Sequence, residues 1–240
     1  MLTAMMKRLL IVIPSYNEET ALPKLLNELK TTVFLNSFTV VPLVVNDCSK
    51  DKTELVAKHN GGNVLSLVNN LGIGGAVQAG IKYAKRHGFD YVLQMDGDGQ
   101  HPPAEVNKLL QAALDTQADV VIGSRFLNKQ GFQTSLMRRF GIKYFHWLNR
   151  LLTHKSIYDT TSGFRLMGAR AINLAASYYP DDYPEPESLI FFSRAGLIIK
   201  EVPVIMRERQ GGKSSIAGFS SLYYMMKVSL SSILSYVRKI

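Results

Sequence analysis

The chain has 240 residues, of which 46% are hydrophobic and 20% are charged. This composition excludes a disordered chain, and the length suits one α/β domain with a full core. The single cysteine, Cys48, excludes an intramolecular disulfide framework and indicates a reducing compartment. The formal net charge of +9 suits nucleic acid, anionic lipid or a polyanionic substrate, and it does not choose among them.

The sequence contains no stretch of about 18 apolar residues that could span a bilayer. Lys7 and Arg8 precede an apolar run, as basic residues do in a signal peptide. That run covers only Leu9–Ile13 and stops at Pro14, so it is too short for the apolar part of such a peptide. We therefore predict a cytoplasmic protein.

The first half of the chain alternates strand and helix patterns. Pro42 interrupts the second strand pattern, which indicates a sheet edge or a bulge. The alternation indicates a parallel sheet with helices on both faces, and such sheets bind ligands beyond the carboxyl ends of their strands. Strands are predicted at Leu9–Ile13, Val40–Val45, Val64–Val68, Tyr91–Met95 and Val120–Ile122, and helices at Leu22–Leu29, Lys52–His59, Gly72–His87 and Pro103–Leu114.

The second half is less regular. A basic helix is predicted at Ser135–Thr153, a short strand at Gly163–Gly168, and a loop rich in tyrosine, proline and acid at Tyr178–Pro186. A strand at Leu197–Met206 and a closing helix at Ile216–Val237 follow. Since no linker separates these segments, we predict one catalytic domain over residues 1–215 and a C-terminal amphipathic helix over residues 216–240.

Polar and acidic segments follow three of the predicted strands. They begin at Pro14, at Asn46 and at Asp96. The last one contains Asp96-Gly97-Asp98, whose carboxylates at positions i and i+2 can face one site while the glycine allows close backbone approach. Hard cations such as Mg²⁺ or Mn²⁺ use few protein carboxylates and complete their shell with water and phosphate oxygens. A lone triplet of this kind is more often a solvated turn, but its place beside two other polar strand ends favours a metal site.

A glycine-rich segment, Leu71 to Val77, follows the third predicted strand and opens a helix, as a dinucleotide-binding fingerprint would. Val77 stands where the third glycine of that fingerprint belongs. We therefore favour a different interpretation, in which the glycines let the helix start and a loop pack closely near a nucleotide.

Cationic side chains are concentrated in the second half of the chain. Any single one is compatible with a solvated surface position, but those in glycine-bearing loops downstream of a metal site suit a phosphate group on a substrate. They are Arg125 after the fifth strand, Arg138, Arg139, Lys143 and Arg150 in the basic helix, Arg165, and Arg207, Arg209 and Lys213 near the C-terminal helix.

Seven short motifs occur in order along the chain. They read Pro-x-Tyr-Asn-Glu, Asp-x-Ser-x-Asp-x-Thr, Asn-x-Gly-x-Gly, Asp-x-Asp-x-Gln, Gly-Ser-Arg, Ser-Gly-Phe-Arg and Arg-x-x-Gly-x-Ser. This ordered set resembles the family 2 glycosyltransferases of GT-A fold, and in particular the dolichol-phosphate mannose synthase and polyprenyl-phosphate glycosyltransferase branch. The resemblance implies an α/β fold with a Rossmann-like, mixed but mostly parallel sheet between helices.

The resemblance also implies a reaction and a set of site residues. The reaction is the inverting transfer of a sugar from a nucleotide-diphosphate donor, with a UDP-sugar favoured, to a polyprenyl phosphate on the cytoplasmic face of the membrane. The implied partners are the membrane surface, a second copy of the chain and an integral membrane protein, and no nucleic acid. The implied nucleotide contacts are Pro14, Tyr16, Glu18, Asp47, Asn70 and Asp96; the ligands for Mg²⁺ or Mn²⁺ are Asp96, Asp98 and Gln100; the acceptor or phosphate contacts are Arg125, Arg139, Ser162, Arg165, Arg209 and Lys213; and the residues expected to be catalytic are Asp96, Asp98, Arg125, Arg139 and Arg209.

Two other functions remain open from the sequence. A family 2 transferase that extends a saccharide or a lipid-linked glycan would need a general base, because an acceptor hydroxyl is not ionised as a phosphate is. The candidates for that base are Asp181, Asp182, Glu185 and Glu187. A non-catalytic nucleic-acid-binding protein would use the positive charge, but the chain lacks a recognisable nucleic-acid motif and the acidic strand ends would be unexplained.

The C-terminal helix carries an apolar stripe. A stripe of this kind is usually a core or oligomer contact, and the alternative is contact with a membrane, which the basic aromatic helix at Ser135–Thr153 and the positive net charge favour. The stripe comprises Phe219, Leu222, Tyr223, Met226, Leu230, Ile233, Leu234 and Val237.

Overall fold

The structure, a computed structural model, describes residues 6–127, 136–181, 184–208 and 220–237, with the backbone alone described at 136–140, 142 and 220–224. Its strands are β1 (Lys7–Ser15), β2 (Phe38–Asn46), β3 (Asn63–Ser66), β4 (Tyr91–Gln94), β5 (Val120–Ser124), β6 (Arg165–Gly168) and β7 (Ile199–Pro203). Its helices are α1 (Leu22–Thr31), α2 (Thr53–His59), α3 (Gly72–Arg86), α4 (Val106–Thr116), α5 (Leu136–Thr153), α6 (Ala169–Ser177), α7 (Pro184–Arg194) and α8 (Ser220–Val237). A short 3₁₀ turn, Pro103–Glu105, leads into α4.

The strands form one sheet in the order β3-β2-β1-β4-β6-β5-β7. Strand β1 pairs in parallel with β2 and β4, and β3 and β7 pair in parallel with β2 and β5. Only β6 runs antiparallel, between β4 and β5. The predicted α/β class with a mixed, mostly parallel sheet is therefore confirmed.

Both faces of the sheet are buried, and β1 shows why its sequence is uniformly apolar. Leu9, Ile11 and Ile13 belong to one core cluster, with apolar residues of α1 and α4, while Leu10 and Val12 belong to the other, with residues of α3 and α6. This division follows from the two-residue period of a strand. Because helices cover both faces, a parallel strand of this kind reads as an unbroken apolar run.

The glycines that open α3 permit close packing. A Cβ at Gly74 would lie 2.0 Å from the carbonyl oxygen of Pro180, and the Gly74 N–H donates to the Asp181 carbonyl at 3.1 Å. Farther along the helix, a Cβ at Gly80 would lie 2.3 Å from the side chain of Val12. The structure therefore agrees with the packing interpretation of this glycine-rich segment rather than with a dinucleotide fingerprint.

Several elements have bounds that differ from the predicted ones, and two helices, α6 and α7, were not predicted. The predicted loop Tyr178–Pro186 is wrong from residue 184 onward, where α7 begins. Pro184 lies at the first position of that helix, where proline is tolerated because the first N–H groups have no partner within the helix. Strand β3 pairs only with Leu43–Asn46, so Pro42 lies in a part of β2 that has a paired neighbour on one side only.

The apolar stripe of α8 faces outward. Val228, Ser232 and Ser235 are the buried positions among its described side chains, and Ser235 Oγ donates to Glu187 Oε1 at 2.6 Å. The core interpretation of the stripe is therefore wrong for its described members, because small side chains pack α8 against the body. Met226, Leu230, Ile233, Leu234 and Val237 are all between 47% and 67% exposed.

Within the ranges that the structure describes, no helix combines the length and the apolar character that crossing a membrane requires.

Candidate active site

The polar segments after β1, β2 and β4 meet at one edge of the sheet. Ser15 lies opposite Asn46 in the register of β1 and β2, and the Asp47 N–H donates to the Ser15 carbonyl at 2.9 Å. The Asp-Gly-Asp segment lies against the end of β1, because a Cβ at Gly97 would be 2.8 Å from Ser15 Oγ and 3.3 Å from the Pro14 carbonyl. Only a glycine therefore fits between the two aspartates.

The loops after β1 and β2 are joined by reciprocal hydrogen bonds. The Asn17 N–H donates to Ser49 Oγ at 3.1 Å, and Asn17 Oδ1 accepts the Lys50 N–H at 2.8 Å. The Glu19 N–H donates to Asp51 Oδ2 at 3.1 Å. Since each loop satisfies backbone donors of the other, the two form a preorganised wall of the site.

Asp47 and Tyr16 line one end of this wall. Asp47 is 4% exposed, and its Oδ1 accepts the Leu71 N–H at 2.7 Å while its Oδ2 accepts no hydrogen bond from any residue that the structure describes. The Asn70 side chain donates to the Asp47 carbonyl at 3.1 Å. Tyr16 is 43% exposed, so its ring is open to a stacking partner. A carboxylate oxygen without a protein donor suits an N–H group of a ligand.

The Asp-Gly-Asp segment provides hard oxygen donors. The Asp96 side chain is 33% exposed, and Asp98 is nearly buried, with its Oδ1 accepting the Gln100 N–H at 3.0 Å. Gln100 Oε1 accepts no hydrogen bond within the described ranges. These ranges contain no group of three or more His, Cys, Asp or Glu residues arranged to hold a metal. Two carboxylates and one amide oxygen fit a Mg²⁺ or Mn²⁺ ion whose remaining ligands are water and substrate phosphate.

His101 supports Asp96 and was missed in the sequence. The Asp96 N–H donates to His101 Nδ1 at 3.0 Å, and the imidazole stacks on Phe164 with ring centroids 4.9 Å apart. Burial lowers the pKa of His101 to about 4, although the charge of Asp98 acts in the opposite direction. The neutral ring accepts through Nδ1, so its proton lies on Nε2, 3.8 Å from Asp96 Oδ2. The sequence signal that could have identified His101 was its position directly after Gln100, a predicted metal ligand.

The low pKa of His101 predicts acid sensitivity in the metal-free protein. Between pH 6.5 and about 4 the unfolded chain binds a proton at this histidine that the folded chain does not. The free energy of unfolding should therefore fall by about 2 kcal/mol between pH 7 and pH 5 through this group alone. Urea unfolding in EDTA at pH 8, 7, 6 and 5 measures it for the wild type and for His101→Gln, which keeps an acceptor but does not titrate.

The packing cost of His101→Gln appears at pH 8 and is subtracted, so only the pH-dependent part is compared. Equal pH dependence in the two proteins would show that His101 is already protonated in the folded state or is exposed.

Arg125 and Asp159 form a buried ion pair beside the carboxylates. Arg125 Nε donates to Asp159 Oδ2 at 2.8 Å and Arg125 Nη2 donates to Oδ1 at 2.7 Å. Burial opposes the charge of Arg125, but the carboxylate of Asp159 raises the pKa of the guanidinium above its ordinary value. The carboxylate of Asp96 acts on the pKa of Arg125 in the same direction.

Two predicted phosphate contacts are buried instead. Arg165 is fully buried, and its guanidinium donates to the carbonyls of Thr160, Ser162 and Glu185 at 2.7 to 2.9 Å. The hydroxyl of Ser162 donates to the Gly123 carbonyl at 2.7 Å. The prediction that Arg165 and Ser162 contact a substrate phosphate is therefore corrected, because both side chains bond protein groups inside the core.

Three of the predicted phosphate contacts lie outside the described residues. They are the side chain of Arg139, and Arg209 and Lys213. Arg207, just before that last pair, donates its backbone N–H to the Gln100 carbonyl at 3.0 Å and its guanidinium to Glu28 at 2.7 Å. Arg207 is thus anchored beside the Asp-Gly-Asp segment.

The four acidic candidates for a general base are unequal. Glu185 is partly buried, its Oε1 accepts from Gln94 Nε2 at 3.4 Å, and desolvation raises the pKa of its carboxyl. Glu187 accepts from Tyr178 and from Ser235 of α8, so it faces away from the carboxylates. Asp181 is exposed, and Asp182 lies outside the described residues.

The sequence model of glycosyl transferase family 2 matches residues 10–174. An undecaprenyl-phosphate mannosyltransferase of Micrococcus luteus is 32% identical over 223 residues, which cover 88% of this chain and 88% of that protein. A UDP-N-acetylglucosamine–dolichyl-phosphate N-acetylglucosaminyltransferase of Methanococcus voltae is 27% identical over 252 residues, covering 95% of this chain and 98% of that protein.

The fold also matches solved structures. The glucosyl-3-phosphoglycerate synthase of Mycobacterium tuberculosis, crystallised with Mn²⁺, UDP-glucose and phosphoglyceric acid, superposes with a TM-score of 0.71 at 18% identity. The match covers 98% of this chain and 81% of that chain. This likeness shows a shared fold, the GT-A fold that the motifs had implied.

Proposed function

The chain belongs to glycosyl transferase family 2, and we propose that it transfers a sugar from a nucleotide-diphosphate donor to a polyprenyl phosphate. One observation carries the proposal: the Asp-Gly-Asp segment packs through Gly97 against the end of β1, whose loop is hydrogen-bonded to the loop after β2. The names of the two relatives, whose acceptors are undecaprenyl phosphate and dolichyl phosphate, support the acceptor class.

The donor is proposed to be a UDP-sugar bound along the wall formed by the first two loops. Asp47 Oδ2 would accept the N3–H of uracil, while Tyr16 would stack on the base. Pro14, Glu18 and Asn70 would complete the pocket. The UDP-sugar in the name of the Methanococcus voltae relative supports this choice.

The reaction is a direct displacement at C1 of the sugar. An acceptor phosphate oxygen attacks C1 from the face opposite the diphosphate, and the C1–O bond to the diphosphate breaks with inversion of configuration. Arg125, with Arg139 and Arg209, would hold the phosphate groups. A Mg²⁺ or Mn²⁺ ion held by Asp96, Asp98 and Gln100 would neutralise the charge that develops on the departing diphosphate.

A phosphate acceptor also suits the acidic residues of the site. A phosphate oxygen is already ionised at pH 7, so the step needs no general base. A hydroxyl acceptor would need a free carboxylate within reach, and Glu187 does not provide one because it bonds Tyr178 and Ser235. These contacts favour the phosphate acceptor.

The test uses purified protein, undecaprenyl phosphate in detergent, Mn²⁺ or Mg²⁺, and a panel of radiolabelled UDP- and GDP-sugars. We expect label in the organic phase that mild acid releases and that EDTA prevents. Label in a saccharide or in a lipid-linked glycan, with none on the lipid phosphate, would refute the acceptor while keeping a glycosyltransferase.

The membrane contact is proposed to lie on α5 and α8, the second of which lies within the predicted 216–240 unit. The two helices pack through Phe145, Leu148 and Val228, and Tyr144 bonds Ser229 at 2.9 Å. The exposed face of α5 carries two large apolar residues and two cations, which suits an anionic lipid surface on the cytoplasmic face. The exposed members are Lys143, Trp147, Arg150 and Leu151 on α5, and Met226, Leu230, Ile233, Leu234 and Val237 on α8.

Replacing Leu230 and Leu234 together by glutamate should weaken binding to vesicles of anionic phospholipid at least about tenfold, because two leucines lose their burial in lipid. Flotation of the protein with vesicles measures this. Leu55→Glu, at an exposed leucine of α2, should leave binding unchanged. Loss of a dimer in sedimentation, with vesicle binding intact, would assign the face to a second copy instead.

A further inference from the structure

Arg125 is held along one edge only. Its backbone N–H, Nε and Nη2 all donate to the carboxylate of Asp159, at 3.0, 2.8 and 2.7 Å, and Nη2 also donates to Thr161 Oγ1 at 3.0 Å. The Nη1 group donates to no residue that the structure describes, and 19% of the Arg125 side chain is exposed. One edge of the guanidinium is therefore bound by protein, and the other edge is available to a ligand.

The open edge of Arg125 lies within reach of the proposed reaction centre. The Arg125 Nη2 group bonds Thr161, two residues before Gly163, and a Cβ at Gly163 would lie 3.1 Å from Asp96 Oδ1. An arginine beside a carboxylate would be expected to pair with it in a bidentate manner. Pairing with Asp96 would place a positive group on a residue that we assign to the cation. The fully buried Asp159 prevents the pairing of Arg125 with Asp96, because it already binds the guanidinium.

Asp159 is itself held by a second carboxylate, Glu201 of β7. Glu201 Oε1 accepts the Asp159 N–H at 2.8 Å, and Oε2 accepts the Tyr158 N–H at 2.7 Å. Glu201 lies opposite Ile122 in the register of β5 and β7. The two carboxylates thus join the end of β5, the segment before β6 and the edge strand β7.

We propose that Asp159 and Glu201 are positioning residues that fix Arg125 with its Nη1 edge presented to a phosphoryl oxygen of a substrate. Asp159 and Thr161 orient the guanidinium directly, and Glu201 fixes the backbone from which Asp159 extends. The inference rests on the proposed function, because it assumes a phosphorylated substrate in this site. Neither Asp159 nor Glu201 was among the residues predicted from the sequence.

An aspartate at position 159 suits this role because its charge holds the Arg125 side chain in one orientation. Without a partner, the Arg125 side chain would not stay in one rotamer, because a free arginine side chain carries about 2 kcal/mol of rotamer entropy. A buried bidentate partner removes that freedom before the substrate arrives, so less is lost when the phosphate binds. Asparagine has the same shape, but it turns an amide toward the guanidinium donors and removes the charge.

The experiment compares Asp159→Asn, Arg125→Ala and the double variant in two assays. Calorimetric titration with UDP and Mn²⁺ reports the donor phosphates, and the KM for undecaprenyl phosphate reports the acceptor phosphate. We expect Asp159→Asn to weaken one of these about tenfold, and to add almost nothing when Arg125 is already alanine, because the aspartate acts through the arginine. Thr161→Val, which removes one weaker contact, should show the same pattern with a smaller loss.

The matched control is Asp119→Asn at the other end of β5. Asp119 also pairs with an arginine, Arg170, at 2.9 Å, but that pair lies away from the site and the arginine is 61% exposed. It should change neither UDP affinity nor the acceptor KM. Urea unfolding of every variant separates loss of positioning from loss of folded protein.

The two assays separate the sources of the phosphate. Weaker UDP binding would assign Arg125 to the donor, and a raised acceptor KM with unchanged UDP binding would assign it to the lipid phosphate. Full additivity of Asp159→Asn and Arg125→Ala would overturn the proposal, as would wild-type values for both Asp159→Asn and Thr161→Val. UDP titration needs no transfer, so it tests the positioning even if the lipid-phosphate acceptor is wrong.

Discussion

Replacing Arg165 by methionine is expected to lower the free energy of unfolding by about 4 kcal/mol, as when one partner of a buried charged network is removed. The Arg165 guanidinium is fully buried, and it donates to the carbonyls of Thr160 and Ser162 before β6 and of Glu185 in α7. Methionine fills much of the same volume but donates no hydrogen bond. Three buried carbonyls would therefore lose a donor.

Urea unfolding at pH 7 measures this loss, with Arg170→Met as the matched control. Arg170 is 61% exposed and forms a surface pair with Asp119, so its replacement should cost at most about 1 kcal/mol. Arg165→Lys should fall between the two, because lysine keeps the charge but lacks the planar fork that reaches three carbonyls.

A stable Arg165→Met protein with a raised KM for the acceptor would contradict the structural role. That result would return Arg165 to the phosphate contact that the Ser-Gly-Phe-Arg motif had implied. The two roles differ in readout, since the structural role affects the unfolding midpoint of the protein without any substrate.

The positions of the polar strand ends could be predicted, and those of some cations could not. In a parallel sheet the carboxyl ends of strands meet at one edge, so the order of strands and helices was enough to bring Pro14, Asp47 and Asp96 together. The glycine between the two aspartates predicted close approach, and Gly97 does lie against Ser15. These inferences needed only backbone periodicity and the chemistry of the side chains.

Whether an arginine is buried or available to a substrate depends on contacts between residues far apart in the chain. Arg165 is buried because Glu185, twenty residues later, supplies a carbonyl from the first turn of α7. That helix was itself hidden, since the prolines at 184 and 186 gave the segment the composition of a loop. Asp159 and Arg125 are likewise 34 residues apart in sequence and carry no shared local pattern.

The orientation of α8 could also not be predicted from the periodicity of its sequence. A stripe at helical spacing shows that one face is apolar, but it does not show which face packs against the protein. Here the inward face is formed by Val228, Ser232 and Ser235. The Ser235 hydroxyl donates to Glu187, and the Ser235 carbonyl accepts from Arg194. Polar groups satisfied in this way can be buried without large cost, which leaves the apolar face outward.

Replacing Asp98 by asparagine should lower kcat/KM for sugar transfer at least about 100-fold, the scale expected when charge stabilisation at a reacting diphosphate is removed. Asparagine keeps an oxygen that can accept the Gln100 N–H, which Asp98 Oδ1 accepts at 3.0 Å. The turn should therefore survive, and the loss would report the carboxylate charge. Transfer of radiolabel to undecaprenyl phosphate, measured over a range of Mn²⁺ concentrations, checks this.

The control is Asp115→Asn in α4, where the carboxylate accepts from Gln111 at 2.7 Å on the protein surface. It should leave transfer unchanged. If Asp98→Asn and the wild type gave equal rates, and EDTA had no effect on either, Asp98 would be a structural turn residue and the cation would be excluded from the reaction. If asparagine weakened Mn²⁺-dependent UDP binding and transfer together, the carboxylate would act through the cation, because the uncharged variant can still accept the Gln100 N–H.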